Sequence, residues 1–327
     1  MVRSNIISTG SYLPEKVLTN FDLEKLVDTT DEWIRTRTGI IERRIAGDEE
    51  AASDLGHHAA IQAIEEAGIE PIDIDMILVA TTTPDDILPA TACFIQKSIG
   101  ASKAVAMDIH AACAGFVFSL SIADQYIRTG TYKNILVIGT EVLSRITDWT
   151  DRNTCILFGD GAGAALVQAT NDEDEGIRST HIHSDGSYQD YLIVPGGGSR
   201  KPISTEVIEE RSNFIKMKGN ETFKVAVKAM TDVATEALNA NGLQSSDLKF
   251  LIPHQANKRI IRAIGKRLKL SKEKICINLE KYGNTSAASI PIALHELRKS
   301  NALEKGDLVL LVGLGAGFTW GAALIQI

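Results

Sequence analysis

The sequence predicts an α/β protein made of two related halves, each a sheet with helices on both faces. Three observations carry this reading. The 327-residue chain repeats itself at a shift of 174 residues. Its strand candidates are near-continuous apolar runs, which need cover on both faces. The helix candidates before them close on a glycine, the residue that adopts a left-handed C′ conformation without steric cost.

The repeat can be followed element by element. Ala63-Ile64-Glu65-Glu66-Ala67-Gly68-Ile69 falls on Ala237-Leu238-Asn239-Ala240-Asn241-Gly242-Leu243, a helix end in each case. Asp73-Ile74-Asp75-Met76-Ile77-Leu78 then falls on Asp247-Leu248-Lys249-Phe250-Leu251-Ile252, a buried strand. Ile135-Leu136-Val137-Ile138-Gly139 matches Val309-Leu310-Leu311-Val312-Gly313 at the same shift. Gly163-Ala164-Ala165-Leu166-Val167 matches Gly321-Ala322-Ala323-Leu324-Ile325 at a smaller one, so the first half carries extra residues between Gly139 and Gly163. The halves divide at 1–172 and 173–327. The stretch from Val194 to Pro202 reads as a surface loop, because it lacks the strand–loop–helix context of a phosphate cradle.

Composition narrows the function. With 44% hydrophobic and 23% charged residues, the chain is an ordinary globular protein. Cys93, Cys113, Cys155 and Cys276 show no CxxC spacing, so neither a zinc site nor a disulfide framework is expected, and a reducing cytosol fits. No apolar run has the length of a membrane span, and the N-terminal apolar run is too short for a signal peptide to be expected. A formal charge of −8 argues against general nucleic-acid binding. His181 and His183 alternate on a strand without a third ligand, so no metal is expected there.

The chemistry gathers in four motifs. Cys113, in Ala111-Ala112-Cys113-Ala114-Gly115-Phe116, stands before an apolar helix candidate. A thiol at a helix start meets the positive end of the macrodipole, which favours the nucleophilic thiolate. His254 ends the buried strand in Pro253-His254-Gln255-Ala256-Asn257, where sites in α/β sheets gather; it reads as a catalytic imidazole or as a hydrogen-bonded strand-end histidine. Asn284, in Tyr282-Gly283-Asn284-Thr285-Ser286, reads as a helix N-cap or as an amide donor to a carbonyl oxygen. The glycine-rich Gly313-Leu314-Gly315-Ala316-Gly317-Phe318-Thr319-Trp320-Gly321 has no helix after it, so it is no dinucleotide loop; its turn could aim N–H groups at a cavity.

These motifs together resemble the 3-oxoacyl-[acyl-carrier-protein] synthase III family, thiolase-fold condensing enzymes that initiate type II fatty-acid synthesis. The likeness runs from Gly10-Ser11-Tyr12-Leu13-Pro14 to the C-terminus and includes Asp31-Glu32-Trp33-Ile34, Thr36-Arg37-Thr38-Gly39-Ile40 and Phe158-Gly159-Asp160-Gly161-Ala162-Gly163. It implies a thiolase-like five-layer α/β/α/β/α sandwich of two duplicated halves. It implies that Cys113 takes the acyl group of an acyl-CoA, that His254 and Asn284 stabilise the enolate formed when malonyl-acyl carrier protein loses CO2, and that the N–H groups of Cys113 and Ala316 form the oxyanion hole. Many relatives have glycine at the Ala316 position.

The same resemblance carries coenzyme A binding to Trp33, Arg37 and Arg152, with Thr29, Gly219, Phe223, Ala256, Asn257 and Ile260 along the pantetheine tunnel. A lone tryptophan is more often a half-buried core aromatic. The resemblance also implies a homodimer in which Leu88 closes the partner's acyl pocket; phenylalanine is common there, and leucine leaves room for primers longer than acetyl. No cofactor is implied beyond the coenzyme A thioester as substrate. From the residues themselves, Lys258 to Leu268 reads as an amphipathic helix with Arg259, Arg262 and Lys266 on one face, and most such charge runs are merely solvated; with the resemblance, that face is expected to dock the acidic carrier protein. The chain is expected to be cytoplasmic. Among rivals, a cysteine hydrolase would share the nucleophile but need a water-activating base, which Asn284 cannot be. A non-catalytic acyl-binding module is the other alternative.

Overall fold

The computed structural model describes residues 2–172 and 175–327. In its first half β1 (Arg3–Tyr12), α1 (Asp31–Thr38), α2 (Ala52–Ala67), β2 (Met76–Ala80), α3 (Thr91–Ile99), β3 (Val105–Ile109), α4 (Gly115–Arg128), β4 (Asn134–Glu141) and β5 (Gly161–Thr170) follow in order. The second half contains β6 (Gly176–Ser184), α5 (Gly219–Ala240), β7 (Phe250–Pro253), α6 (Lys258–Arg267), α7 (Ser289–Lys299), β8 (Leu308–Gly315) and β9 (Thr319–Gln326). Short ribbons and helical turns connect them. The expected boundary between 172 and 173 falls on Glu173, outside the described residues.

One sheet runs β1-β5-β4-β2-β3 and the other β7-β8-β9-β6. In the first, β2 is parallel to β3 and β4, and β5 is antiparallel to its neighbours. In the second, β7 is parallel to β8, and β9 is antiparallel to β8 and β6.

The period-2 alternation of the strands separates the layers. Met76, Leu78 and Val137 pack on Phe116 and Leu120 of α4 and Ile290 of α7. Ile77, Val79 and Leu136 point the other way, onto Leu55, Ala59 and Ile95 of α2 and α3. In the second sheet Val309 and Leu311 face the same central layer, while Leu310 and Val312 face Met230 and Val233 of α5 and Ile264 of α6. The result is the expected five-layer sandwich, with α4 and α7 as its middle layer.

The duplication is finer than the sequence suggested. β4 and β8 begin and end 174 residues apart, as do the helical turns Ala112–Ala114 and Ser286–Ala288 that lead into α4 and α7. Ala112 and Ser286 share a left-handed backbone, with φ of 45° and 47°. Holding a non-glycine residue there costs about 1–3 kcal/mol, so packing enforces the turn in both halves. The glycines of the repeat are register partners: Gly139 pairs with Gly163, and Gly313 with Gly321. One strand is not repeated. The residues that would match β3 form the helical turn Leu279–Tyr282, and a single bridge between Leu251 and Ile275 remains at that edge.

The middle layer holds the site, and its packing is tight. A Cβ on Gly139 would lie 2.3 Å from the carbonyl oxygen of Ala287, which is backbone and cannot step aside cheaply. Gly139→Ala is therefore expected to lower stability by about 3 kcal/mol, read from urea unfolding; an unchanged midpoint would show that the turn before α7 yields. The extra residues of the first half fold over this turn. The Asn284 N–H donates to Leu157 O at 2.8 Å, and the Gly159 N–H donates to Asn284 O at 3.0 Å. Asp160 fastens the segment by accepting from the N–H groups of Ala46 and Ser144 and from the Ser144 hydroxyl.

Candidate active site

Cys113 sits in the turn just before α4, on a residue almost closed to solvent. Gly315 makes that approach possible, since a Cβ there would stand 2.5 Å from the Cys113 nitrogen. Thr319 ties the glycine-rich turn to the nucleophile turn by donating its hydroxyl to Ala111 O at 2.8 Å. The electrostatics correct the sequence argument. The turn Ala112–Ala114 separates Cys113 from the first residue of α4, and burial pushes the thiol up to about 12, with the Ser286 hydroxyl only partly opposing it. Desolvation opposes the thiolate, so the resting group is a thiol.

His254 follows β7, and its N–H donates to Val312 O at 2.8 Å. Its Nδ1 lies 2.7 Å from the Ser289 hydroxyl, which also accepts the Gln255 N–H at 3.3 Å. Burial alone lowers the imidazole to about 3, so it is neutral throughout the physiological range. Asn284 is buried as well. Its side-chain oxygen accepts the Ser286 N–H at 2.8 Å, a local turn that fixes the carboxamide. Its Nδ2 makes no hydrogen bond to any described residue.

The N-cap reading of Asn284 is corrected: Thr285 stands at the N-cap of the turn Ser286–Ala288 and Ala288 at that of α7, while the Asn284 oxygen closes a local turn one residue earlier. Cys113, His254 and Asn284 line one cavity of about 800 Å³. At its exposed side stand Trp33, Arg37 and Arg259; Phe223, Asn257 and Ile260 line it between, with Gly219 and Ala256. A second cavity of about 530 Å³ meets the first at Cys113, with walls that include Leu143, Ile146, Phe158 and Ile215. Cys113 is therefore the junction of two chambers, one reaching charged surface and one largely apolar. Ala316 lines the second chamber and is not at positive φ, so alanine fits the turn without strain.

Trp33 is half-buried, with the Arg37 and Arg152 guanidinium carbons 4.8 and 4.7 Å from its ring centroid. Arg152 and Thr29 do not line the cavity. Arg152 donates to Asp28 O at 2.9 Å, and the Thr29 hydroxyl is buried without a partner among the described residues. Asn257 caps α6 with its side-chain oxygen and donates from Nδ2 to Arg37 O at 3.0 Å. Leu88 lines neither cavity of its own chain: it is 84% exposed, beside an Ile87 that is 91% exposed. On α6, Arg259, Arg262 and Lys266 are exposed and form no ion pair among the described residues; Arg259 lies over the Phe223 ring. His181 and His183 both meet Glu236, a surface pairing.

Sequence reasoning missed Ser286, Ser289 and Glu141. Glu141 ends an apolar strand as His254 does, and that strand-end position was the available signal.

Residues 238–327 of the chain match the family described as 3-oxoacyl-[acyl-carrier-protein (ACP)] synthase III C terminal, and residues 107–186 match 3-oxoacyl-[acyl-carrier-protein (ACP)] synthase III. The chain is 53% identical over 325 residues to a beta-ketoacyl-[acyl-carrier-protein] synthase III of Caldanaerobacter subterraneus subsp. tengcongensis, covering 99% of this chain and 98% of that one. It is 52% identical, with the same coverage, to one of Xanthomonas campestris pv. campestris. The crystal structure of 3-oxoacyl-[acyl-carrier-protein] synthase III from Aquifex aeolicus VF5 superposes with a TM-score of 0.92 at 48% identity, covering 99% of this chain and all of that one.

Proposed function

Because the chain belongs to the 3-oxoacyl-[acyl-carrier-protein] synthase III family of acyltransferases, whose activity initiates fatty-acid synthesis, we propose a role for each residue of its site. Cys113 takes the acyl group from acyl-CoA and holds it as a thioester in the second, apolar chamber. Malonyl-acyl carrier protein then enters the first chamber and loses CO2. The supporting observation is the convergence of three side chains from distant stretches on one buried cavity.

The chemistry follows from the polar groups available. Ser289 accepts the Gln255 N–H and lies 2.7 Å from His254 Nδ1; in the proposed tautomer it donates to Nδ1, and the imidazole proton stands on Nε2. Neutral Nε2–H and Asn284 Nδ2–H then meet the thioester oxygen on which the enolate charge develops. Fixed donors in a dry pocket stabilise that charge without reorganising. The enolate carbon attacks the acyl-Cys113 carbonyl, whose oxygen is held by the N–H groups of Cys113 and Ala316. The reaction needs no resident cofactor. A mixture of acetyl-CoA and malonyl-carrier protein should yield CO2 and a 3-oxoacyl product in equal amounts; free acetate in place of C–C bond formation would make the protein a hydrolase.

Trp33, Arg37 and Arg152 form the adenine and phosphate end of the coenzyme A site, with Thr29 beside them. An indole flanked by two guanidinium groups favours a flat, anionic ligand. Gly219, Phe223, Ala256, Asn257 and Ile260 line the pantetheine path. Two α/β halves, about 1–172 and 173–327, contribute the nucleophile and the two donors respectively.

The enzyme acts as a homodimer in the cytoplasm. No helix among the described residues is long and apolar enough to cross a membrane. β3 is an edge strand with Val105 42% exposed, and the bare Ile87-Leu88 pair suits a partner's acyl chamber.

The basic face of α6 docks the carrier protein. Arg262→Glu with Lys266→Glu, neither of which lines the cavity, should raise KM for malonyl-carrier protein about tenfold at low salt and much less at high salt. A KM unchanged at low salt would remove the docking role.

A further inference from the structure

Glu141 is a buried acid that the condensation as described does not use. It ends β4 and is closed to solvent. Its Oε2 accepts the Thr82 N–H at 3.0 Å and the hydroxyls of Thr82 at 2.9 Å, Thr83 at 2.8 Å and Thr81 at 3.4 Å. Its Oε1 is buried and accepts no hydrogen bond at ordinary distance among the described residues. A buried carboxylate oxygen left empty is costly and calls for a reason.

The Ser286 hydroxyl is a neighbour of this carboxyl. It interacts with both the Cys113 thiol and the Glu141 carboxyl. The backbone explains why the three meet. The turn Ser286–Ala288 presses on β4 at Gly139, two residues before Glu141, and the equivalent turn of the first half carries Cys113. Cys113, Ser286 and Thr82 all line the second chamber. His254 offers no such route through Nδ1, which Ser289 occupies.

Resting on the assignment of Cys113 as nucleophile, we propose that Ser286 and Glu141 form a proton relay that stores the thiol proton for the lifetime of the acyl-enzyme. The Ser286 oxygen accepts the proton of Cys113 while its own passes to Glu141 Oε1. The sulfur then bonds to the acyl carbon, the bond from that carbon to coenzyme A breaks, and the departing thiolate takes a proton from water. In the second half-reaction the malonyl carboxylate leaves as CO2, its electron pair forms the enolate, and the enolate carbon bonds to the acyl carbon. The bond to Cys113 breaks, and the sulfur recovers its proton from Glu141 through Ser286. One proton is consumed per turnover, matching the carboxylate lost as CO2.

The relay gives a reason for both buried acids. The thiol, held protonated by burial, needs an acceptor, and burial raises Glu141 toward the range in which it can hold a proton. Its hydrogen bonds from Thr82 and Thr83 oppose that rise.

The test separates the half-reactions. Ala112 holds the same left-handed turn as Ser286, so alanine is compatible with this backbone and Ser286→Ala should fold. Acetyl transfer from acetyl-CoA to Cys113, followed by quenched intact mass, should slow on the order of 10²-fold in Ser286→Ala and in Glu141→Gln. The double variant should be no slower than either single one, as for parts of a unit. Malonyl-thioester decarboxylation on the same proteins should fall far less.

Acetylation at the wild-type rate in Ser286→Ala overturns the relay. So does an equal fall in both half-reactions, which would mark a structural role. If Glu141→Gln does not fold, Ser286→Ala alone decides. A Cys113→Ala control that still becomes acetylated would overturn the nucleophile instead, leaving the two failures distinct.

Discussion

A Cys113→Ala protein is expected to take up no acyl group from acetyl-CoA, and to lose condensation by on the order of 10⁴-fold or more. Removing the sulfur removes the only thiol at the junction of the two chambers. Cys93, Cys155 and Cys276 line neither one. The substitution should spare the fold, because Ala287 already occupies the equivalent place in the second half, between turns of the same backbone. Slow decarboxylation of malonyl thioester should persist, since the donors on His254 and Asn284 are untouched. Intact mass after exposure to acetyl-CoA gives the first readout and CO2 release the second. An added acetyl group on the variant would place the nucleophile elsewhere.

The duplicated framework was legible because it depends on features that survive in one dimension. Apolar runs and C′ glycines mark strands and helix ends wherever they fall, and a common shift exposes the copy. Cys113, His254 and Asn284 were legible for a related reason: each stands at the end of such an element, where a sheet delivers side chains to a shared edge. What could not be read is what depends on depth. The helix-start argument for Cys113 took the sign of the dipole correctly but had no measure of desolvation, and desolvation sets the resting thiol. Ser286 lay inside a motif already noticed and Ser289 three residues beyond it, yet serine is too common there for its partner to be inferred. The missing fifth strand was equally hidden. Leu279 to Tyr282 is apolar enough at one end for a strand, and only its packing makes it a helical turn. Leu88 shows another limit. Its exposure in one chain says that no pocket of its own needs it, which neither periodicity nor spacing could have revealed.

The second large effect belongs to Asn284. Replacing it with aspartate should leave the local backbone in place, because the new carboxyl still offers an oxygen to the Ser286 N–H that Oδ1 now accepts at 2.8 Å. What changes is the other atom. The free Nδ2–H donor becomes an oxygen bearing lone pairs, aimed at the place where the enolate builds negative charge. Loss of one such donor slows a reaction by about 10²–10³-fold, and an anionic replacement adds repulsion, so malonyl-thioester decarboxylation should fall by about 10³-fold near neutral pH. Acidification should restore part of it. Burial raises a carboxyl's pKa, and once protonated the group can donate again. The sign is that of a gain as pH falls, opposite to the loss expected if an imidazole were becoming charged. His254 does not confuse the measurement, because its burial keeps it neutral down to about pH 3. Decarboxylation at the wild-type rate in Asn284→Asp at neutral pH would show that the amide only caps its turn, and the enolate would then need another donor.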